Sequence, residues 1–154
     1  MTKTNAGWVF SVLQLAMLPA MLVSPVLASR MKNPKIMIYI TSALYFIGII
    51  TLLIFKAKFS YLSAILIGIA GGFAFSLSIL FFSLRTKTMV GTIKISGMAQ
   101  SVGYLIAAFG PPIFGKLYDI DSTWSYSLYF LMCCMMIITF FGIKASQPKF
   151  VEED

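Results

Sequence analysis

Histidine is absent from this 154-residue chain, the acidic residues number only five, and cysteine appears twice. Each shortage narrows what the chain can do. Without histidine, the side chain most used for acid–base work near neutral pH and for metal ligation is missing. Asp119 and Asp121 fall in a connection between apolar runs, and Glu152, Glu153 and Asp154 fall in the C-terminal tail. No acid/base pair, nucleophile constellation, phosphate-binding loop, buried proton relay or metal-ligand spacing can be assembled from them. These absences argue against an enzyme and call for no metal or cofactor. The cysteines, Cys133 and Cys134, are adjacent inside an apolar run. On a helix they point about 100° apart, which disfavours a disulfide or a metal clasp between them and leaves them as packing residues.

Charge is scarce as well. Charged types make up 11% of the chain and apolar types 59%, whereas a soluble domain carries about 25% charged residues. So few charges cannot give a core of this composition a solvated surface, but apolar surface facing lipid needs none. The net charge of +7 is spread between the apolar runs rather than gathered on one element, which argues against nucleic acid as a partner. The runs lack the polar–apolar alternation of barrel strands. Only Lys3 precedes the first run, and that run is too long for the apolar stretch of a signal peptide.

What is present is long apolar segments. A helix needs about 20 such residues to cross a bilayer. Five segments qualify: Gly7–Ser29, Ile36–Phe55, Ser60–Leu84, Ile93–Gly115 and Trp124–Ile143. The connections are short, so each helix returns antiparallel to its predecessor, and the expectation is one all-α transmembrane domain spanning 1–154. Arg30, Lys32, Lys35, Arg85, Lys87, Lys94, Lys144 and Lys149 fall on one side; Lys3, Lys56, Lys58 and Lys116 fall on the other. The richer side is expected to be cytoplasmic, with the N-terminus outside and the C-terminus inside the plasma membrane. Trp8, Tyr61, Tyr118 and Trp124 collect at the outer interface, where amphipathic rings are favoured.

Ala64, Gly68, Gly72 and Ser76 recur every four residues on the third segment, with Gly71 beside them, and Ala99, Gly103, Ala107 and Pro111 on the fourth. Each set forms a strip without bulk along which another backbone approaches closely. Static packing and a surface on which helices rock during gating both fit such strips. Pro19 and Pro25 fall inside the first helix, and Pro111 and Pro112 near the end of the fourth; Pro19 lies near the midplane, where a kink serves either structure or a binding site. Gln14 and Gln100 are the amides at depth, and Ser96, Gln100 and Tyr104 share one helical stripe. An amide is costly against lipid, so these side chains are expected to face protein or an aqueous cavity, as interhelical hydrogen bonds or as substrate contacts.

Three stretches carry a family resemblance. Ser96-Gly-Met-Ala-Gln-Ser-Val-Gly-Tyr-Leu-Ile-Ala-Ala-Phe-Gly-Pro111, continuing to Phe114-Gly-Lys-Leu-Tyr-Asp119, resembles the penultimate helix of the cyanate transporter-like branch of the major facilitator superfamily, a branch that includes cyanate and nitroimidazole transport proteins. Ala6-Gly-Trp-Val-Phe-Ser-Val-Leu-Gln-Leu-Ala-Met-Leu-Pro19 resembles the eighth helix of that branch, and Gly68 to Arg85 the tenth. Arg30-Met-Lys-Asn-Pro-Lys35 is similar to the basic cytoplasmic loop of the superfamily. The resemblance implies helices eight to twelve of twelve. It also implies a substrate that is a small anion or small organic solute, and a requirement for the preceding helices, or a complementary half-transporter, as partner. A non-transporting membrane subunit and a small homo-oligomeric exporter are the alternatives.

Overall fold

The computed structural model describes residues 3–31 and 35–147; Lys32, Lys149, Glu152, Glu153 and Asp154 lie outside them. Within this range every regular element is helical: α1 (Lys3–Arg30), α2 (Lys35–Phe55), a 3-10 turn (Lys56–Phe59), α3 (Ser60–Leu84), α4 (Met89–Ala108), α5 (Gly110–Ile120) and α6 (Ser125–Ala145). The all-α membrane class read from composition holds. By length and composition three helical stretches are fit to cross a membrane: Thr4–Arg30, Lys35–Leu84 and Ser125–Ala145. The middle stretch is α2 and α3 together, folded back on each other at the 3-10 turn.

That reversal takes only four residues because Lys56 adopts a left-handed conformation, φ 49°, a region in which side chains with a Cβ are crowded. Trp124 does the same at φ 65° where α6 begins.

The expected fourth segment, 93–115, differs from what forms. Helix starts earlier, at Met89, because the Thr88 hydroxyl caps it by accepting from the Gly91 N–H at 3.0 Å. It breaks at Phe109 because Pro111 and Pro112 have no N–H to return to the carbonyls of Ala107 and Ala108. A second helix, α5, then runs on to Ile120.

The third helix is central. α1 and α2 both pack along it and α6 packs against α2, whereas α4 and α5 touch the rest sparingly. Ala20, Ala28, Met37, Ile38, Phe73, Leu77 and Phe81 form the main buried cluster. They lie toward the end of the bundle where α1, α3 and α6 finish and α2 begins. Arg30, Lys35, Arg85, Lys87 and Lys144 gather at this end, and Lys56, Lys58 and Lys116 stand at the other. Trp8, Tyr61, Tyr118 and Trp124 are also at the second end, the last two rings 4.7 Å apart. Two of the helix termini at the basic end, those of α3 and α6, are tied directly: Arg85 Nε donates to the Ala145 carbonyl at 2.8 Å, answering one of the acceptors that a helix leaves open at its C-terminus.

Candidate functional site

Two contrasting helix faces make up the candidate site, one closed and one open. The closed face is the α1–α3 seam. Ala64, Gly68, Gly72 and Ser76 are all buried, and the lack of side chains at Gly68 and Gly72 lets α1 rest its backbone on them. A Cβ at Gly68 would strike the Leu13 carbonyl oxygen; one at Gly72 would lie 2.5 Å from the Met17 carbonyl oxygen and 2.8 Å from Ala20 Cβ. One turn further on, Ser76 Oγ donates to the Met21 carbonyl at 2.7 Å. Residues 13, 17 and 21 therefore meet 68, 72 and 76 in the same order, so the two helices run parallel at four-residue register. The Ser76 bond has a specific cause. Pro25 has no N–H, so the Met21 carbonyl is without its usual partner four residues on, and the hydroxyl supplies one. Pro19 likewise deprives the Leu15 carbonyl of its usual donor, and the Pro19 side chain is exposed.

The open face is on α4. Ala107 and Pro111 are exposed, and nothing stands within 4 Å of where a Gly103 Cβ would be. This strip has no covering helix among the described residues. Instead, Ala99, Gln100, Gly103 and Tyr104 line one wall of a groove of about 240 Å³; Phe75, Ser78, Ile79 and Phe82 of α3 line the other. Gln100 Nε2 donates to Ser96 Oγ at 3.3 Å, four residues back on the same stripe. The structure thus brings Ser96, Gln100 and Tyr104 together. Gln14 is exposed on α1 and lines neither this groove nor the larger cavity described next.

The α3 wall was not singled out in the sequence, although Phe75, Ile79 and Phe82 fall at the three- and four-residue spacing of a helix face. A second cavity, about 350 Å³, lies between α2, α3 and α6. In its wall Ser42 and Thr139 join α2 to α6 through a 2.7 Å hydroxyl pair. Nothing in the sequence pairs positions 42 and 139, because only the fold places them side by side.

Beyond the helices, Asp121 organises the turn into α6. Its carboxylate accepts from the Thr123 hydroxyl at 2.7 Å, the Thr123 N–H at 3.0 Å and the Ser125 N–H at 3.2 Å. The Thr123 side-chain bond leads the interactions that hold the carboxyl below its usual range.

No family model matches this sequence, and no solved structure matches it. Three transport proteins do. The uncharacterized transporter YycB of Bacillus subtilis (strain 168) is 32% identical over 149 residues, 96% of this chain and 37% of that protein. The 2-nitroimidazole transporter of Escherichia coli (strain K12) is 30% identical over 148 residues, again 96% of this chain and 37% of that protein. A putative anionic 4-hydroxy-benzoate permease of Thauera aromatica is 35% identical over 82 residues, 53% of this chain and 50% of that protein. The chain is a multi-pass membrane protein related to transporters and permeases, and it spans little more than a third of the length of the first two.

Proposed function

We propose that this chain forms helices eight to twelve of a major facilitator secondary transporter of the cyanate and nitroimidazole transporter-like branch, and supplies one wall of the solute path. The observation that carries the reading is the α4 face. Gln100, Ser96 and Tyr104 line or adjoin a groove between α3 and α4, while the small-residue strip beside them lies open. An amide and an uncovered seam in that position call for a covering protein surface or a watered path rather than lipid. The Bacillus subtilis and Escherichia coli relatives, of which this chain spans 37%, have the additional length from which such a cover would come. With the basic end in the cytoplasm, the N-terminus is outside and the C-terminus inside. Gly68 and Gly72 hold α1 and α3 together as one body, and the strip at Ala99, Gly103, Ala107 and Pro111 receives the complementary helices and moves against them.

The solute is a small planar ring compound or small anion. The names of two relatives, a 2-nitroimidazole transporter and a putative anionic 4-hydroxy-benzoate permease, refer to flat-ring solutes, and Phe75, Phe82 and Tyr104 give the groove aromatic walls. Gln100 offers one acceptor and two N–H donors to a nitro or carboxylate group. Uptake of radiolabelled 2-nitroimidazole and 4-hydroxybenzoate into cells tests this. Flux is expected when the chain is co-expressed with the part of the Bacillus subtilis relative that it does not match, falling at least tenfold with Gln100→Leu while membrane insertion is unchanged. Saturable flux with the purified chain alone in vesicles would refute the partial-transporter reading in favour of a homo-oligomeric exporter. Full flux with Gln100→Leu would remove Gln100 from the path.

A further inference from the structure

The cavity between α2, α3 and α6 is separate from the solute groove; Ser78 and Phe82 form the ridge between them. Its long walls run from Ala74 to Phe82 on α3 and from Met135 to Ala145 on α6. At 1.5 Å per residue the α6 wall is about 15 Å long, close to half of the ~30 Å hydrocarbon core, the depth of one leaflet. Most of the lining is apolar: Leu77, Phe81, Met135, Ile138 and Phe141 among others.

Four hydroxyls face the cavity, and each is already bonded within the protein. Thr41 donates to the Met37 carbonyl, Ser78 to the Ala74 carbonyl and Thr139 to the Met135 carbonyl, and Ser42 is shared between the Ile38 carbonyl and Thr139. A polar solute or a file of waters would find few partners there, and waters in a buried site need two to four. The cavity suits a hydrocarbon chain.

Basic residues stand just beyond one end. Ala145, the last residue of the α6 wall, accepts from Arg85, and its chain neighbour Lys144 holds its ammonium 4.6 Å above the ring of Phe140, which lies outside the lining. Lys35 opens α2 one turn from cavity-lining Ile38. α3 and α6 hardly touch along their length, which leaves a lateral entrance for a chain already in the bilayer.

We propose that this cavity holds one acyl chain of an anionic phospholipid from the leaflet at the basic end, with the phosphate seated over Arg85 and Lys144. Apolar wall, leaflet depth and the basic residues beyond one end select a diacyl lipid with a negative headgroup over both a neutral lipid and a soluble anion. Basic pockets between membrane helices recognise such headgroups, each basic side chain giving about fivefold in affinity.

Electron spin resonance of the intact chain in bilayers tests it, with chain-labelled phosphatidylglycerol and chain-labelled phosphatidylcholine compared at equal mole fraction. An immobilised component is expected with about fivefold or greater preference for phosphatidylglycerol, reduced several-fold by Lys144→Gln. Ala74→Phe fills the inner end of the cavity and is expected to abolish the component for both lipids. Ser78→Leu, at an exposed position, narrows the cavity without touching the buried cluster and covers the case in which Ala74→Phe does not fold. Equal immobilisation of the two lipids would overturn the headgroup assignment. Immobilisation unchanged in whichever of these two variants folds would overturn the cavity as the chain site.

Discussion

Placing a side chain at Gly72 should pry α1 from α3. The glycine Cα faces the α1 backbone, and a Cβ there would sit 2.5 Å from the Met17 carbonyl oxygen, 2.8 Å from Ala20 Cβ and 3.0 Å from the Met21 nitrogen. Two of these three are backbone atoms, which cannot rotate aside. Relief requires the helices to part by roughly 1 Å, the difference between these distances and a normal contact of about 3.5 Å. Overpacking of this kind costs about 1–3 kcal/mol. Separation also stretches the Ser76–Met21 bond, 2.7 Å in the structure, worth a further ~0.6–2 kcal/mol between membrane helices. Gly72→Leu is therefore expected to destabilise the bundle by about 2–5 kcal/mol. The controls are Gly7→Leu and Gly103→Leu, since nothing lies within 4 Å of a Cβ at either position. Sharper still is Gly→Ala. Alanine favours helix over glycine by about 1 kcal/mol, so Gly103→Ala should be neutral or stabilising while Gly72→Ala destabilises. Melting of each variant in detergent, followed by circular dichroism and by size-exclusion recovery, measures the ranking. Equal melting of Gly72→Leu and Gly103→Leu would refute the parallel α1–α3 seam.

Ser76→Ala should cost about 0.6–2 kcal/mol by leaving the Met21 carbonyl with neither Pro25 nor a hydroxyl to bond. The same change in a Pro25→Ala background should cost measurably less, because the alanine N–H restores the helix bond. Lys56→Gly should stabilise the α2–α3 reversal by about 0.5–1 kcal/mol, since Lys56 sits at φ 49°, read from the same melts. For Asp121 the folded carboxyl titrates below its ordinary value of 3.8. The turn's stabilisation is thus complete above that value and is lost as pH falls through the lower folded value. Carboxyl-carbon NMR should show the depressed midpoint, and Thr123→Val should raise it. A phosphatase fused after Asp154 should be inactive and a fluorescent protein there bright, as expected for a cytoplasmic C-terminus; an active phosphatase would reverse the orientation.

Much of this was legible in the residue order. Length and scarcity of charge decide for the membrane, because a bilayer is the one solvent in which this composition needs no polar surface. The four-residue recurrence of Ala64, Gly68, Gly72 and Ser76 marks a strip without bulk on which another backbone can come close. The stripe of Ser96, Gln100 and Tyr104 is also readable, because helical geometry alone sets which residues share a face. Even the early start of α4 had its signal in Thr88, a capping residue masked by the polar run around it, and the break at Phe109 was written in the two prolines that follow.

What only the tertiary structure decided is which surfaces meet. Two strips of small residues look alike as sequence, yet the one on α3 is buried against α1 and the one on α4 is open, because partner choice depends on the whole surface presented and not on the strip. The Met21 carbonyl finds Ser76 across 55 positions, Ser42 finds Thr139 across 97, and Arg85 reaches the last carbonyl of α6. Such bonds leave no periodic trace, since the separation in sequence between their ends is set by connections that carry no information about the contact. The cavity between α2, α3 and α6 is of the same kind. It is a space left where three helices fail to close on one another, and a space has no residues of its own to be read.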